Sequence, residues 1–315
     1  MPVLSLKTGT KSRSLLVGNA FFVPVRGVFS GGYATGSVDQ NVIEYVTIAT
    51  TGNAVDFGDL TFARRAIAAC ASSTRGCIGG GYRDAISGTN NIIDYITIAS
   101  EGNAIDFGDL TVARHDLASC SSSTRGLWAG GSGPSNVIDY VTIASVGNAT
   151  DFGDLSGNRN SPTACASSTR GIFAGGSGGV TNVIDYVTID STGNATDFGD
   201  LSVARYALGS CSSSTRGLFG GGNNGSNKQN VIDYITIATT GNATDFGDLT
   251  VTRDANTGSC SNSTRGLFAG GYDATAESNV IDYVTIDTTG NATDFGDLSA
   301  SKYSLAGCSS GHGGL

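Results

Sequence analysis

Residues 201–249 read LSVARYALGSCSSSTRGLFGGGNNGSNKQNVIDYITIATTGNATDFGDL, and versions of this unit recur along the whole chain. The motif NVIDY or a close variant ends at regular intervals of 50, 45, 46, 48 and 49 residues, at Tyr45, Tyr95, Tyr140, Tyr186, Tyr234 and Tyr283. A period of this size is typical of solenoids, propellers and arrays, in which each repeat is one supersecondary unit. The fold is therefore decided by what one unit forms.

Each unit contains four candidate β-strands, separated by Gly, Asn, Asp or Ser. In the quoted unit, strand A surrounds Leu208 and Cys211, strand B covers 217–221, strand C covers 231–238 and strand D surrounds Phe246. No segment has the 3.6-residue period of a helix. The sequence therefore predicts an all-β protein.

Strand C carries apolar side chains on both faces, because Val231 and Ile235 alternate with Ile232 and Tyr234. Such a strand must be covered on both sides. A propeller blade between two other blades meets this condition, and so does a solenoid repeat. Solenoids need atypical capping repeats, and neither end of the repeat region resembles one. The pattern therefore favours a propeller.

The two ends of the repeat region are complementary. The first repeat starts at strand B with Arg26 and lacks strand A, whereas the last segment is a strand A around Cys308. A C-terminal strand that completes the N-terminal blade would close the ring and remove an exposed sheet edge. We predict a closed, six-bladed β-propeller over residues 25–315, preceded by an N-terminal arm at residues 1–24.

The unit resembles a kelch repeat. Kelch blades carry a diglycine after a hydrophobic strand, then an aromatic residue, and then a second aromatic and an arginine before the next blade. One unit matches these features with Gly130, Gly131, Tyr140, Phe152 and Arg159. Phe stands where kelch repeats usually have Trp. The resemblance covers about residues 25–310 and implies a kelch-like propeller.

The near-identity of the units, with segments such as NATDFGDL and SSSTRG, also resembles kelch-like virion proteins encoded by phages of marine bacteria. This resemblance implies a tail-associated structural or adhesion protein of a bacteriophage virion, made in the host cytoplasm and built into a larger assembly. Its partners would be other virion proteins, or a protein or glycan of the host surface. Two alternatives are a cytoplasmic kelch-type adaptor that binds another protein and a glycan-processing propeller enzyme.

Most charged residues recur once per repeat, which indicates an architectural role. Two basic slots, before strand B and after strand D, hold 12 of the 18 basic residues, and three acidic slots hold 18 of the 27 acidic residues. The carboxylates could form a ring that binds Ca²⁺ in the central channel. They could instead cap turns or pair with arginines of the same or the next blade. We favour the second interpretation and expect no metal, because every repeat needs its turn chemistry.

The cysteines follow the same rule. One recurs in each repeat, and Cys77 is the only additional one. Since CxxC and irregular paired spacing are absent, we predict reduced thiols that serve as small buried apolar residues. The net charge of −9 and the use of Lys and Arg within the repeat leave no basic patch for nucleic acid. No stretch approaches the roughly 18 apolar residues of a membrane span.

Catalytic signals are poor. His115 and His312 are the only histidines, and no GxSxG or phosphate-loop motif occurs. His115 occupies a slot that holds Arg65, Tyr206 or Asp254 in other repeats, so we interpret this slot as a tolerant surface position. The sequence predicts a non-enzymatic protein without a cofactor.

The loops between strands B and C vary most between repeats and would all project from one face of a propeller. Variable loops on a rigid scaffold commonly bind partners, although the variation could also be drift. The predicted binding residues are Tyr33, Asp39, Tyr82, Arg83, Asp84, Asn223, Lys228, Tyr272, Asp273 and Glu277. The N-terminal arm has no counterpart in the repeat, and it is predicted to dock onto a larger assembly through Lys7, Lys11 and Arg13.

Overall fold

A computed structural model of the chain describes residues 25–36, 38–133, 135–254, 258–273 and 275–311. The predicted N-terminal arm, with Lys7, Lys11 and Arg13, lies outside the described residues, and so does His312. The described part of the chain is all-β apart from one short 3-10 helix, Asp84–Ile86. The predicted fold class is confirmed at this level.

Six four-stranded antiparallel sheets account for most of the structure, and in each sheet the strands lie in the order A, B, C, D. The A strands are β6 (Ala68–Ala71), β12 (Ala118–Ser121), β16 (Thr163–Ala166), β20 (Gly209–Ser212), β24 (Gly258–Ser261) and β29 (Ala306–Ser309). The B strands are β1 (Arg26–Ser30), β7 (Arg75–Gly79), β13 (Arg125–Ala129), β17 (Arg170–Ala174), β21 (Arg216–Gly220) and β25 (Arg265–Ala269). We number the sheets 1 to 6 in the chain order of their B strands.

The remaining long strands form the other half of each sheet. The C strands are β4 (Val42–Thr47), β10 (Ile92–Thr97), β14 (Ser135–Thr142), β18 (Val183–Thr188), β22 (Val231–Thr236) and β26 (Val280–Thr285). The D strands are β5 (Val55–Asp59), β11 (Ile105–Asp109), β15 (Thr150–Arg159), β19 (Thr196–Asp200), β23 (Thr244–Asp248) and β27 (Thr293–Asp297). Five short strands lie in connecting segments: β2 (Tyr33–Ala34), β3 (Val38–Asp39), β8 (Tyr82–Arg83), β9 (Gly88–Thr89) and β28 (Lys302–Tyr303).

The C-terminal strand completes sheet 1. β29 pairs with β1, so that Cys308 lies opposite Val28 and Ser309 lies opposite Gly27. The amide of Arg26 donates to Ser310 Oγ, and the amide of Ser310 donates to the carbonyl of Arg26, both at 3.1 Å. The predicted pairing of the C-terminal strand A with the N-terminal strand B is confirmed.

The hydrophobic core is divided into clusters that lie between consecutive sheets. Between sheets 2 and 3, Phe107 and Leu117 pack with Trp128. Between sheets 6 and 1, Phe295 packs with Phe29 in the corresponding cluster. Each sheet therefore buries both of its faces, which explains why strand C is apolar on both. The architecture is consistent with a β-propeller-like fold.

Each repeated cysteine packs against a glycine of the next sheet. The Sγ atom of Cys70 lies 2.5 Å from the position that a Cβ atom on Gly126 would occupy. The same contact recurs for the pairs Cys120 and Gly171, Cys165 and Gly217, Cys211 and Gly266, Cys260 and Gly27, and Cys308 and Gly76. All seven cysteines are buried and unpaired, so their predicted burial is confirmed. A glycine is needed at the start of each B strand because the thiol occupies the space of a side chain.

A buried ion pair also joins each pair of consecutive sheets. A basic residue that follows strand D, or in sheet 3 ends it, contacts the acidic residue of strand C in the next sheet. The pairs are Arg64–Asp94, Arg114–Asp139, Arg159–Asp185, Arg205–Asp233, Arg253–Asp282 and Lys302–Glu44. Arg253 Nη1 also donates to the carbonyls of Gly270 at 3.1 Å and Val280 at 2.9 Å. Such bonds offset the cost of removing the guanidinium from water. One acidic slot therefore pairs with the next sheet, as the favoured interpretation expected.

Candidate functional site

The variable loops share one end of the sheets with the segments that follow strand D. Strand B ends there, strand C begins there, and strand D ends there, since the strands are antiparallel. We call this end the loop face. The first residue of a loop forms a bridge with the residue that follows a buried basic residue, as in Arg65–Tyr82, Tyr206–Asn223 and Asp254–Tyr272. Two variable slots of the repeat therefore meet on this face.

One group of predicted residues surrounds Arg65, and we call Tyr33, Asp39, Arg65, Tyr82 and Asp84 the Arg65 cluster. Arg65 Nη1 lies 2.8 Å from Asp84 Oδ2 and also forms a short contact with Asp39 Oδ1. The guanidinium carbon lies 4.2 Å from the ring centre of Tyr33 and 4.8 Å from that of Tyr82. Burial opposes the charge, but the bonds to Asp84 and Asp39 outweigh it and raise the pKa of Arg65.

Asp39 fixes the adjacent loop. Its side chain is buried, and Asp39 Oδ2 accepts a hydrogen bond of 2.6 Å from the amide of Asp84. The loop beyond it consists of β8, the 3-10 helix and β9, and Ser87 takes the left-handed conformation with a φ of 48°. Asp39 therefore holds the loop of sheet 2 in place and is not itself accessible to a partner.

A second group lies at sheets 5 and 6, and we call Asn223, Lys228, Asp254, Tyr272 and Asp273 the Lys228 cluster. Lys228 Nζ lies 3.3 Å from Asp254 Oδ1, 3.0 Å from the carbonyl oxygen of Tyr272 and 3.7 Å from the centre of its ring. Asn223 Nδ2 donates to Asp254 Oδ2 at 2.8 Å. The amides of Thr275 and Ala276 donate to the Asp273 carboxylate and lower its pKa.

Aromatic rings connect the two clusters. Tyr303 lies 5.5 Å from Tyr33 and 5.6 Å from Tyr272 between ring centres, in edge-to-face arrangements. Burial raises the pKa of Tyr303. Glu277 Oε2 accepts a hydrogen bond of 3.5 Å from Thr35 Oγ1. The structure therefore brings the predicted residues together across sheets 5, 6, 1 and 2.

The sequence analysis missed Arg65, Asp254 and Tyr303, which are central to these contacts. They occupy the slot that His115 shares, and the interpretation of this slot as a tolerant surface position was wrong. The slot is half-buried, and His115 packs edge-to-face on Tyr82 with 5.5 Å between ring centres. The residue in this slot differs from repeat to repeat, as the loop residues do. This variation could have identified the slot as part of the loop face.

The inner edges of the sheets line two small cavities of about 70 Å³ each. Their walls come from the A strands and the residues beside them, mostly Ala, Ser, Cys and Leu. Ser121 Oγ donates to the carbonyl of Ala71 at 2.8 Å, and Ser212 Oγ donates to that of Ala166 at 2.8 Å. No Asp or Glu of the described residues lines either cavity. The acidic residues of the strand C slot lie at the sheet junctions instead.

Metal-binding groups and membrane-spanning helices are both absent from the described residues. Across residues 25–311, apart from the four short gaps, no group of three or more His, Cys, Asp or Glu side chains is arranged to hold a metal ion. The same part of the chain contains no helix with the length and apolar character needed to cross a membrane.

Comparison of the chain with protein-family models and with curated protein sequences gave no match. The fold and the geometry of the loop face are therefore the grounds for a functional conclusion.

Proposed function

We propose that the six sheets are the blades of a closed, kelch-like β-propeller. Three observations support closure at the junction of sheets 6 and 1. Cys260 Sγ packs on Gly27, Lys302 pairs with Glu44, and Phe295 packs with Phe29. The same three kinds of contact occur between sheets that follow each other along the chain. Small-angle X-ray scattering of the monomer would distinguish a closed disc from an open arc, and an arc-shaped profile would refute closure.

We also propose that the chain is a non-enzymatic structural or adhesion protein of a bacteriophage virion, associated with the tail. The loop face would bind a host-surface protein or glycan, and the N-terminal arm would dock onto other virion proteins. The proposal is supported by the positions at which the repeats differ from one another. Charged and aromatic residues that depart from the repeat gather on the loop face, in the Arg65 and Lys228 clusters. The repeated basic residues and the acidic residue of strand C join consecutive sheets instead.

Two changes to the protein test this assignment. In the first, Tyr82, Arg83 and Asp84 are replaced by Gly and Ser, and Val180→Ser, at an exposed position in the loop of sheet 4, is the control. In the second, residues 1–20 are deleted. We expect the loop variant to enter virus particles but to lose attachment to host cells, and we expect the arm deletion to show the reverse. Immunoblots of purified particles and binding of labelled protein to cells measure the two properties.

The gene's neighbours provide an independent test. Tail genes on either side would support the virion assignment. A position among genes of cellular metabolism, together with protein that stays in the cytoplasm, would favour the kelch-type adaptor. If neither variant changes assembly or attachment, the proposed roles of both regions are wrong.

A further inference from the structure

Arg83 differs from every other basic residue of the described chain. Each of the other fourteen forms a hydrogen bond or ion pair with a carboxylate or a carbonyl group. The side chain of Arg83 forms none within the described residues, and its Nε is buried without a partner. Its guanidinium lies on the ring of Phe62, with 4.0 Å from Cζ to the ring centre. Arg83 therefore carries a positive charge that no described residue neutralises through an ion pair.

Exposed apolar side chains accompany this charge. Phe62 is 45% exposed and Ile86 is 58% exposed. Phe62 lies under the Arg83 guanidinium, and Ile86 ends the 3-10 helix that begins at Asp84, the residue after Arg83. We call Phe62, Arg83 and Ile86 the Arg83 surface. Large apolar groups gathered at one place on a surface mark interaction sites.

The Arg83 surface is specific to sheets 1 and 2. Phe62 is aromatic, whereas the same slot holds Val112, Gly157, Val203, Val251 and Ala300 in the other repeats. The surface is also rigid, because Asp39, Arg65 and Asp84 hold its loop. A preorganised surface loses little conformational entropy on binding. Arginine is enriched at binding hot spots, and both arginine and phenylalanine are enriched in protein interfaces.

We propose that the Arg83 surface binds an acidic, apolar segment of a protein partner. A carboxylate of the partner would form a bidentate pair with the Arg83 guanidinium, and aliphatic side chains of the partner would cover Phe62 and Ile86. Charge complementarity favours this occupant, since the Arg83 guanidinium forms no ion pair with any described residue. A protein segment fits better than a glycan because it can bury exposed aliphatic groups. The inference rests on the proposed binding function of the loop face.

The test is a selection of random twelve-residue peptides on the immobilised full chain. We expect the selected peptides to combine Asp or Glu with aliphatic residues. Their affinity, measured by fluorescence anisotropy, should fall at least tenfold for Arg83→Gln and for Phe62→Ser. The matched control is Val251→Ser, which changes the same repeat slot at another sheet and should leave the affinity unchanged. Thermal unfolding of each variant would verify that the fold is intact.

Three outcomes would overturn the inference: no enriched peptide, enriched peptides without acidic residues, or affinities that Arg83→Gln leaves unchanged. A failure here is distinguishable from a failure of the proposed function. If the peptides fail while the loop variant still loses attachment to cells, the loop face binds a partner of another chemistry. If attachment is also unaffected, the loop face is not the binding surface.

Discussion

The ammonium group of Lys302 and the carboxylate of Glu44 form a buried ion pair at the junction of sheets 6 and 1. The five other junctions have arginine and aspartate at these two positions. At this junction, lysine stands in place of arginine and glutamate stands in place of aspartate. A glutamate is one methylene longer than an aspartate, and lysine presents a compact charge in place of the planar fork of arginine. The junction keeps the pair with different side chains.

This pair should behave as a unit in unfolding experiments. We expect Lys302→Ala to lower the free energy of unfolding by about 3–5 kcal/mol, because it leaves the Glu44 carboxylate buried without a counter-charge. The double variant Lys302→Met with Glu44→Leu should lose much less. Urea unfolding of Lys302→Met, of Glu44→Leu and of the double variant measures the coupling. The exposed pair Arg26–Glu101 is the control, and Glu101→Gln should cost at most about 1 kcal/mol. Additive effects at Lys302 and Glu44 would contradict this expectation.

The contact between Cys70 and Gly126 predicts a compensating pair of substitutions. A Cβ atom on Gly126 would lie 2.5 Å from Cys70 Sγ, so Gly126→Ala should destabilise the protein by about 1–3 kcal/mol through overpacking. Adding Cys70→Ala removes the sulfur atom and should recover part of the loss. Gly157→Ala, where nothing lies within 4 Å, should leave the melting temperature almost unchanged. Failure of Cys70→Ala to rescue Gly126→Ala would show that the thiol is not the obstacle.

The buried thiols make stability depend on alkaline pH. Burial raises the pKa of Cys77, Cys120 and Cys308 to about 12, whereas an unfolded cysteine titrates near pH 8.5. Between about pH 9 and 12 the unfolded state has released these protons and the native state has kept them. The free energy of unfolding should therefore fall as pH rises, by about 1.4 kcal/mol per pH unit for each such thiol.

The control for this pH dependence uses Cys77, because other repeats have Val28, Leu127 or Ile172 in its slot. Cys77→Val should fold normally and show a shallower loss of stability above pH 9. At pH 8 a bulky thiol reagent should react with the unfolded chain and leave the folded chain unmodified. An identical slope for Cys77→Val and the unaltered chain would contradict the assignment.

Removal of β29 tests how much this strand contributes to the stability of the whole fold. Deleting residues 299–315 exposes the edge of β1 and takes Cys308 away from Gly76. Exposed sheet edges promote aggregation, so we expect loss of solubility or of cooperative unfolding. Deleting only residues 312–315 leaves β29 intact and serves as the control. A protein without residues 299–315 that melts like the full chain would refute the closed propeller.

Much of the fold could be predicted from one unit of sequence. The four strands of the unit and the pairing of the last strand A with the first strand B agree with the structure, and only the strand ends differ. Strand B ends at Gly220, because Gly221 turns out of the sheet with a φ of 70°. Strand C ends at Thr236, where the chain enters a turn closed by the amide of Thr239. These ends depend on single dihedral angles that an apolar pattern does not record.

The site was predicted only in part, for a different reason. Residues such as Asp39 and Lys228 stood out because they break the charge pattern of the repeat, but the pattern does not show their partners. Arg65 and Asp254 lie 26 residues after Asp39 and Lys228 respectively, in segments that belong to the junctions with the next sheet. Contacts between different loops depend on how neighbouring sheets are placed. The tertiary structure was therefore needed to show that Asp39 is buried and that Arg83 forms no ion pair within the described part of the chain.

The pairing of β1 with β29 has a mechanical consequence. Strand β1 runs from Arg26 towards the loop face, and it is bonded to β29 on one side and to β4 on the other. A pulling force between Val25 and the loop face acts along this strand, so the bonds on both sides share the load. A force that separates the two chain ends instead opens the ladder from Gly27 and Ser309, one bond at a time. The protein should therefore resist a force between Val25 and its loop face better than a force that separates its two ends.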